Sequence, residues 1–352
     1  MKKFAKLFTL FLFLAACGRL GDNPGETSSQ SLKSSSSGHL SLVYMTMPNG
    51  ALYDLVLAQI DLVNKKIVNK IKLHFSLRAL GECGSPQLSN QLPSGGRLVT
   101  YCETTYFDFD ANQEYYINYL GNTKTYSNQV FSSGLGQVGG MAISPDGRLI
   151  SYIKNVAGEW TLSIQKVGEA GPFKVIVGKA FLPSFSPDSE LLAFSDQKKN
   201  LVIYDIIRDK IYKMGIMADT VYRWSPQVKS DMFFSKLYKI AYTGHYNYGR
   251  TDAIAIYTLD IYHRFRMIKQ ISGSALLNPI RRDTYELVDG GIYSGTAIKI
   301  KNYTRFPNWI NDNQIFYLDD SGQFKIMNED GSDVGLVLDT DDIGSVPFVA
   351  GD

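Results

Sequence analysis

Residues Pro183–Met214 read PSFSPDSELLAFSDQKKNLVIYDIIRDKIYKM. Leu191–Ser195 is a short apolar run, Asn200–Ile206 pairs with it across the polar turn DQKK, and Lys210–Met214 returns across the turn IRD. Pro183–Phe185 forms a short strand ahead of them. It ends at Ser186-Pro187-Asp188-Ser189, where proline fixes φ and aspartate bonds to its own backbone. One four-stranded sheet of this kind cannot bury both of its faces, so the unit requires stacking against copies of itself.

Working outward, the apolar residue that closes the first strand of each unit recurs at Leu92, Ile143, Phe185, Trp224, Trp309 and Phe348. The turns that follow read PSGG (93–96), SPDG (144–147), SPDS (186–189), SPQ (225–227) and IND (310–312). Near the start, Leu40–Thr46, Tyr53–Leu62 and Lys66–Leu73 read as three strands with no fourth before them. The missing strand recurs at the other end, where Ser345-Val346-Pro347-Phe348 aligns with Leu182–Phe185 and Phe306–Trp309. A C-terminal strand that completes the N-terminal sheet would close a ring of repeats and hide its edges.

These repeats resemble the WD-like propeller repeats of the TolB-like family. The likeness is sharp at 141–214 and 307–338, where Phe324–Gly331 (FKIMNEDG) matches that family's third strand and Asp-Gly turn. The resemblance implies an all-β fold, a β-propeller over residues 39–352, but not TolB itself, which carries a separate α/β domain ahead of its propeller. The interval from Trp224 to Trp309 is 85 residues, against 42 from Ile143 to Phe185. Strand-like pieces at Thr284–Val288 and Thr296–Tyr303 suggest a degenerate blade inside it, so seven blades are favoured slightly over the six of the resembling family.

Ahead of the propeller, residues 1–16 carry Lys2, Lys3 and Lys6 and then the apolar run Leu7–Leu14, the layout of a secretory leader. Leu14-Ala15-Ala16-Cys17 resembles the lipobox of bacterial lipoproteins, which implies cleavage before Cys17 and acylation of that cysteine, with the lipid bilayer as a partner. Gly18 after the cysteine points by the same resemblance to the outer membrane. The protein would face the periplasm or the cell surface there, or the outside of the cytoplasmic membrane in an organism with one membrane. Residues 17–38 are rich in Ser and Gly and read as a flexible tether, roughly 25 Å long on average. Without the leader, Lys+Arg stands at 33 against 34 Asp+Glu, and no basic block occurs, which argues against nucleic acid as a partner.

No P-loop, GxSxG or GxGxxG is present. Asp146 and Asp188 recur because the turn needs them rather than as a catalytic pair. Asp108-Phe-Asp110-Ala-Asn112-Gln-Glu114 alternates oxygen ligands, yet Gln113 stands where a calcium loop needs Gly, so a hairpin turn is the better reading. Asp339-Thr-Asp341-Asp342 reads as a solvated turn. His39, His74, His245 and His263 show no metal-ligand spacing, and neither metal nor cofactor is expected. Cys83 and Cys102 flank the first hairpin of one blade, where Leu88–Leu92 would pair with Arg97–Tyr101. Outside the reducing cytoplasm they are candidates for a disulfide, with two buried thiols as the alternative.

Lys236–Arg250 (KLYKIAYTGHYNYGR) holds four tyrosines. Alternation of Tyr238, Ile240 and Tyr242 reads as strand packing, while Tyr246, Tyr248 and Arg250 have the composition of a protein-binding loop. The expected function is that of a lipid-anchored, non-catalytic scaffold that binds another envelope protein or ligand. The alternative is a propeller enzyme of lactonase-like or cyclotransferase-like type with a metal in its central channel. Convergence of acidic, Asn or His side chains from several blades at the channel mouth would distinguish the two.

Overall fold

The computed structural model describes residues 39–46, 52–77, 86–108, 113–135, 141–156, 159–178, 180–217, 220–224, 229–230, 236–245, 252–259, 265–272, 274–277, 284–288, 291–294, 298–301, 305–309, 314–319, 324–328, 330–338 and 348–351. All lie in the second of two compact units, Leu32–Asp352, the first being Met1–Ser31. The described elements are all β-strands.

Sheet 1 holds β1 (His39–Thr46), β2 (Tyr53–Asp61) and β3 (Lys66–Leu77). Sheet 2 follows with β4 (Gln87–Leu88), β5 (Leu98–Asp108), β6 (Gln113–Asn122) and β7 (Ser127–Leu135). Sheet 3 is β8 (Ala142–Ile143), β9 (Leu149–Val156), β10 (Glu159–Lys166) and β11 (Lys174–Val177). Sheet 4 is β12 (Phe181–Phe185), β13 (Leu191–Ser195), β14 (Asn200–Asp205) and β15 (Lys210–Met217). Sheet 5 contains β16 (Thr220–Trp224), the short β17 (Lys229–Ser230), β18 (Lys236–His245), β19 (Asp252–Leu259) and β20 (Phe265–Ser272). Sheet 6 is β21 (Ser274–Leu277), β22 (Thr284–Val288), β23 (Gly291–Ser294) and β24 (Ile298–Lys301). Sheet 7 is β25 (Arg305–Trp309), β26 (Gln314–Leu318), β27 (Phe324–Asn328) and β28 (Asp333–Leu338), and β29 (Phe348–Gly351) pairs with β1 as the fourth strand of sheet 1.

All pairings are antiparallel, and each chain segment runs through its sheet in order. In sheet 4 the register Leu192↔Tyr204 and Phe194↔Val202 turns one set of side chains toward sheet 3, where they share a core with Ala142, Ile153, Leu162 and Ile164. Leu191, Ala193, Leu201 and Ile203 alternate onto the opposite face and are buried as well. Strands covered on both sides need apolar residues at successive positions, which explains the near-continuous run LLAF. Three further boundaries follow the same plan. Leu98 and Leu120 of sheet 2 pack on Ile143, Ile150 and Tyr152 of sheet 3. Val43, Leu55 and Leu57 of sheet 1 pack on Leu88, Val99 and Tyr101 of sheet 2. On its other face sheet 1 shares a core with sheet 7, where Leu42, Tyr44 and Ala58 meet Phe316 and Ile326.

Pro183 and Pro307 sit where the registers of β12 and β25 shift, between Phe181 and Ser184 and between Arg305 and Asn308. Proline has no N–H to donate to a ladder, so a bulge is where a strand tolerates it. Two expected positions change. The first strand of sheet 2 ends at Leu88, paired with Val99, so Leu88 rather than Leu92 is the counterpart of Ile143 and Phe185, and Leu92 falls in a longer turn. In the 85-residue interval stands a complete four-stranded sheet, with β22 where a strand is expected and β24 within the expected piece at 296–303.

Candidate functional site

The turn after the first strand of sheets 2, 3 and 4 is held by one buried serine. In sheet 3 the Ser144 N–H donates to the Leu149 carbonyl at 2.9 Å, and the Leu149 N–H returns to Ser144 Oγ at 2.9 Å. The hydroxyl then donates to Asp146 Oδ1 at 2.6 Å. Sheet 4 repeats this with Ser186, Leu191 and Asp188, the hydroxyl-to-carboxylate bond being 2.7 Å. Sheet 2 keeps the serine, with Ser89 and Leu98 exchanging the same two bonds, although no Ser-Pro-Asp is present. Asp146 also accepts from the Arg148 backbone and pairs with its guanidinium at 2.6 Å, and Asp188 accepts from the Glu190 N–H. Both carboxylates therefore close their own turns.

These turns touch from sheet to sheet. The Asn90 N–H donates to the Pro145 carbonyl at 2.7 Å, and the Asp146 N–H donates to Ser189 Oγ at 3.2 Å. Gly147 lies at φ 71°, and a Cβ there would stand 2.5 Å from Leu92 Cδ2. Further along, Trp224 Nε1 donates to the Ser184 carbonyl at 3.1 Å, tying sheet 5 to sheet 4.

The turn between third and fourth strands lies at the same end, since Thr123 exchanges hydrogen bonds with Arg97, and Ile206 N–H donates to the Glu190 carbonyl. An Asp or Asn opens it and caps the following amides. Asp61 accepts from Val63 and Asn64, Asn122 from Lys124 and Thr125, and Asp205 from Arg208. The fifth residue takes a positive φ in each, Lys65 at 52°, Tyr126 at 53° and Asp209 at 50°. The cap leaves an apolar side chain at the tip. Val63 is 76 % exposed, Ile207 72 % and Tyr126 55 %.

A polar wedge separates sheets 1 and 2 further out. His74 on β3 meets Tyr101 on β5 through Nδ1 and the phenol oxygen at 2.8 Å, and the rings of Tyr101 and Tyr119 stack with centroids 5.0 Å apart. Tyr119 donates its hydroxyl to Glu103, a buried carboxylate. Burial lowers the pKa of His74, with Glu103 opposing it weakly. Burial also raises the Tyr101 and Tyr119 phenols far above their ordinary range, helped at Tyr101 by Tyr119 and Glu103 and at Tyr119 by Glu103, so neither ionises near neutrality. A neutral His74 accepts the Tyr101 proton at Nδ1, whereas a protonated ring would have to donate there. The arrangement is an inter-sheet lock. A comparable clasp joins sheets 3 and 4, where Lys174 reaches Asp209 and lies 5.3 Å above the Tyr204 ring.

Of the residues singled out from sequence, Cys102 is buried and disulfide-bonded. Cys17, Cys83, Tyr246, Tyr248 and Arg250 lie outside the described residues, as do 109–112 and 339–342. Asp108, the last residue of β5, pairs with Gln113, the first of β6. Tyr238, Ile240 and Tyr242 belong to β18. Among the described residues no group of three His, Cys, Asp or Glu is placed to hold a metal. The exposed tips and the His74 wedge were not anticipated. The tips have a sequence signal, an Asp followed two residues later by Val or Ile at 61–63 and 205–207.

Four-stranded antiparallel sheets stacked face to face in chain order define a β-propeller type of fold. The chain is similar to a candidate 6-phosphogluconolactonase from Bacteroides fragilis, with TM-score 0.53 and 10 % identity over 93 % of this chain and 99 % of that one. A functionally unknown protein from Desulfotomaculum acetoxidans gives TM-score 0.51 and 12 % identity over 88 % of this chain and 98 % of that one. TolB from Acinetobacter baumannii gives TM-score 0.47 and 15 % identity over 89 % of this chain and 67 % of that one. No family model matches the chain, and no curated protein matches it. At these identities the likeness concerns the fold alone.

Proposed function

We propose that this protein is a lipid-anchored, non-catalytic seven-bladed propeller that binds another envelope protein or ligand. The observation that carries the non-catalytic reading is the use of Asp146 and Asp188, the recurrent acids of the turns after the first strand, as acceptors that close those turns. Anchoring rests on Leu14-Ala15-Ala16-Cys17 after a short apolar run, followed by a Ser- and Gly-rich stretch before β1. Seven blades and a closed ring are supported by the seven sheets, by β29 pairing with β1, and by the core that sheet 1 shares with sheet 7. Tyr246, Tyr248 and Arg250 are the proposed partner-binding residues, and Cys83 is the proposed partner of Cys102, since Cys17 is the remaining cysteine and is assigned to the lipid.

The decisive experiment is Cys17→Ser in cells fed a labelled fatty acid. Label and membrane fractionation should both be lost, and a variant that is processed and fractionates like the parent overturns the anchor. Pull-down from envelope extracts with Tyr246→Ala/Tyr248→Ala should lose a partner while the melting temperature holds. Unchanged partners overturn the binding loop.

A further inference from the structure

We propose that the end of the sheets carrying the first and third turns docks on the surface of the bilayer, against anionic phospholipid headgroups. The inference rests on the anchoring reading and goes beyond it, because it gives the anchored domain an orientation. β1 begins at His39, whose register partner is Asp61, the residue that opens the turn at 62–65. The tether therefore leaves the domain at the end where the third turns stand. Sheets 2, 3 and 4 join at that end turn to turn, and sheet 1 runs in the same strand order with its face on sheet 2.

What that end presents suits a lipid surface. Val63 and Ile207 are the most exposed large apolar side chains described, and Tyr126 is a phenol of the kind that sits at headgroup level. Lys65, Lys66 and Lys124 are exposed in the same turns. Four of the carboxylates at that end are paired within the protein, Asp146 with Arg148, Glu169 with Lys166, Asp205 with Arg208 and Asp209 with Lys174, and Asp61 and Asp188 accept hydrogen bonds within their own turns. The second turn of sheet 4, at the opposite end, is Asp196-Gln197-Lys198-Lys199 and has no apolar tip. Weak contacts suffice for docking because the anchor makes the contact intramolecular, at a high effective concentration.

The test places a tryptophan at either end of the acylated, mature protein, in vesicles of phosphatidylethanolamine and phosphatidylglycerol that carry a brominated-chain lipid. Emission from Ile207→Trp and Val63→Trp, after subtraction of the parent's three tryptophans, should fall by roughly half as the tips enter the interface. Emission from Lys198→Trp should be unchanged. Adding Lys65→Gln or Lys66→Gln should shift the docked-to-free ratio about fivefold toward free for each lysine removed. Tips that stay unquenched on protein-bearing vesicles, or quenching equal at both ends, overturn the orientation and leave that end to a protein partner. Failure of the protein to associate with vesicles at all overturns the anchoring reading, and this inference with it.

Discussion

The boundary between sheets 3 and 4 and the boundary between sheets 1 and 2 do the same job with different materials. Between sheets 3 and 4, Leu162, Ile164, Leu192, Phe194 and Val202 form an apolar core, and both sheets carry a Ser-Pro-Asp turn. Between sheets 1 and 2 an apolar core of Leu55, Leu57, Leu77 and Val99 is joined by His74, Tyr101, Tyr119 and Glu103, and the turn after β4 is longer and lacks the aspartate. Regular repeats stack by shape and apolar area. Where the repeat departs from its pattern, hydrogen bonds and ring contacts carry part of the boundary, and such contacts depend on protonation.

The strongest way to break the comparison is through the apolar boundary. Phe194 is 3 % exposed, and Phe194→Ala should lower stability by about 4 kcal/mol, since relaxation around a lost ring is incomplete. Urea unfolding of the variant at two pH values measures it, and the loss should be the same at neutral pH and at pH 5, because Tyr204, the titrating group in that core, is raised above its ordinary value and keeps its proton throughout that range. A pH-dependent loss would mean that the two boundaries are not distinct in kind.

Ser186→Ala tests the turn shared by both regions. The hydroxyl accepts from Leu191 N–H and donates to Asp188, and its removal leaves a buried amide without a partner, which costs about 2 kcal/mol. Ser89→Ala should behave alike in sheet 2, because Ser89 accepts from Leu98 N–H in the same geometry. If only the Ser186 variant were destabilised, the serine of the longer turn would be incidental.

Gly147 and Ser189 occupy the same position in successive turns, with φ 71° and 64°. Gly147→Ala should cost about 1–2 kcal/mol, the left-handed backbone supplying most of it, because Leu92 Cδ2 is the end of a side chain that can move. Leu92→Ala in the same chain should recover only the steric share. Full recovery in thermal melts would show that the clash, not the backbone, dominates.

What was legible in the sequence follows from the same contrast. Ser-Pro-Asp marks β8, β9, β12 and β13 because proline and aspartate are required there by turn geometry, so sheets 3 and 4 could be read almost residue by residue. In sheet 2 the turn keeps only a serine, a common residue with many roles, so the sequence reading falls on Leu92 rather than Leu88. The His74 wedge depends on register across β3, β5 and β6, so residues distant in the chain meet only once two sheets are packed. The apolar tips were hidden for another reason. The sequence already places Val63 and Ile207 in turns, but only the Asp61 and Asp205 caps show that each turn is closed beneath them and leaves the apolar side chain exposed.

The smallest expected effect sharpens the comparison furthest. His74 is held below its ordinary pKa of 6.5 by burial, so in acid the unfolded chain takes up a proton that the folded one resists. Its neutral form belongs to the fold, and stability is lost as pH falls through 6.5 toward the folded pKa, then levels off. On the alkaline side Tyr101, Tyr119, Tyr204 and Tyr317 are all raised, so above pH 10 the unfolded chain loses protons first and stability falls again. The alkaline loss comes from several sheets, because Tyr204 donates to Asp209 in sheet 4 and Tyr317 to Asp333 in sheet 7. The acid step belongs to His74, the one histidine whose side chain is described. In His74→Gln the difference in unfolding free energy between pH 7.5 and pH 5 should shrink, while the loss above pH 10 persists. An unaltered acid limb would mean that His74 is solvated in both states and that the boundary between sheets 1 and 2 is, energetically, as apolar as that between sheets 3 and 4.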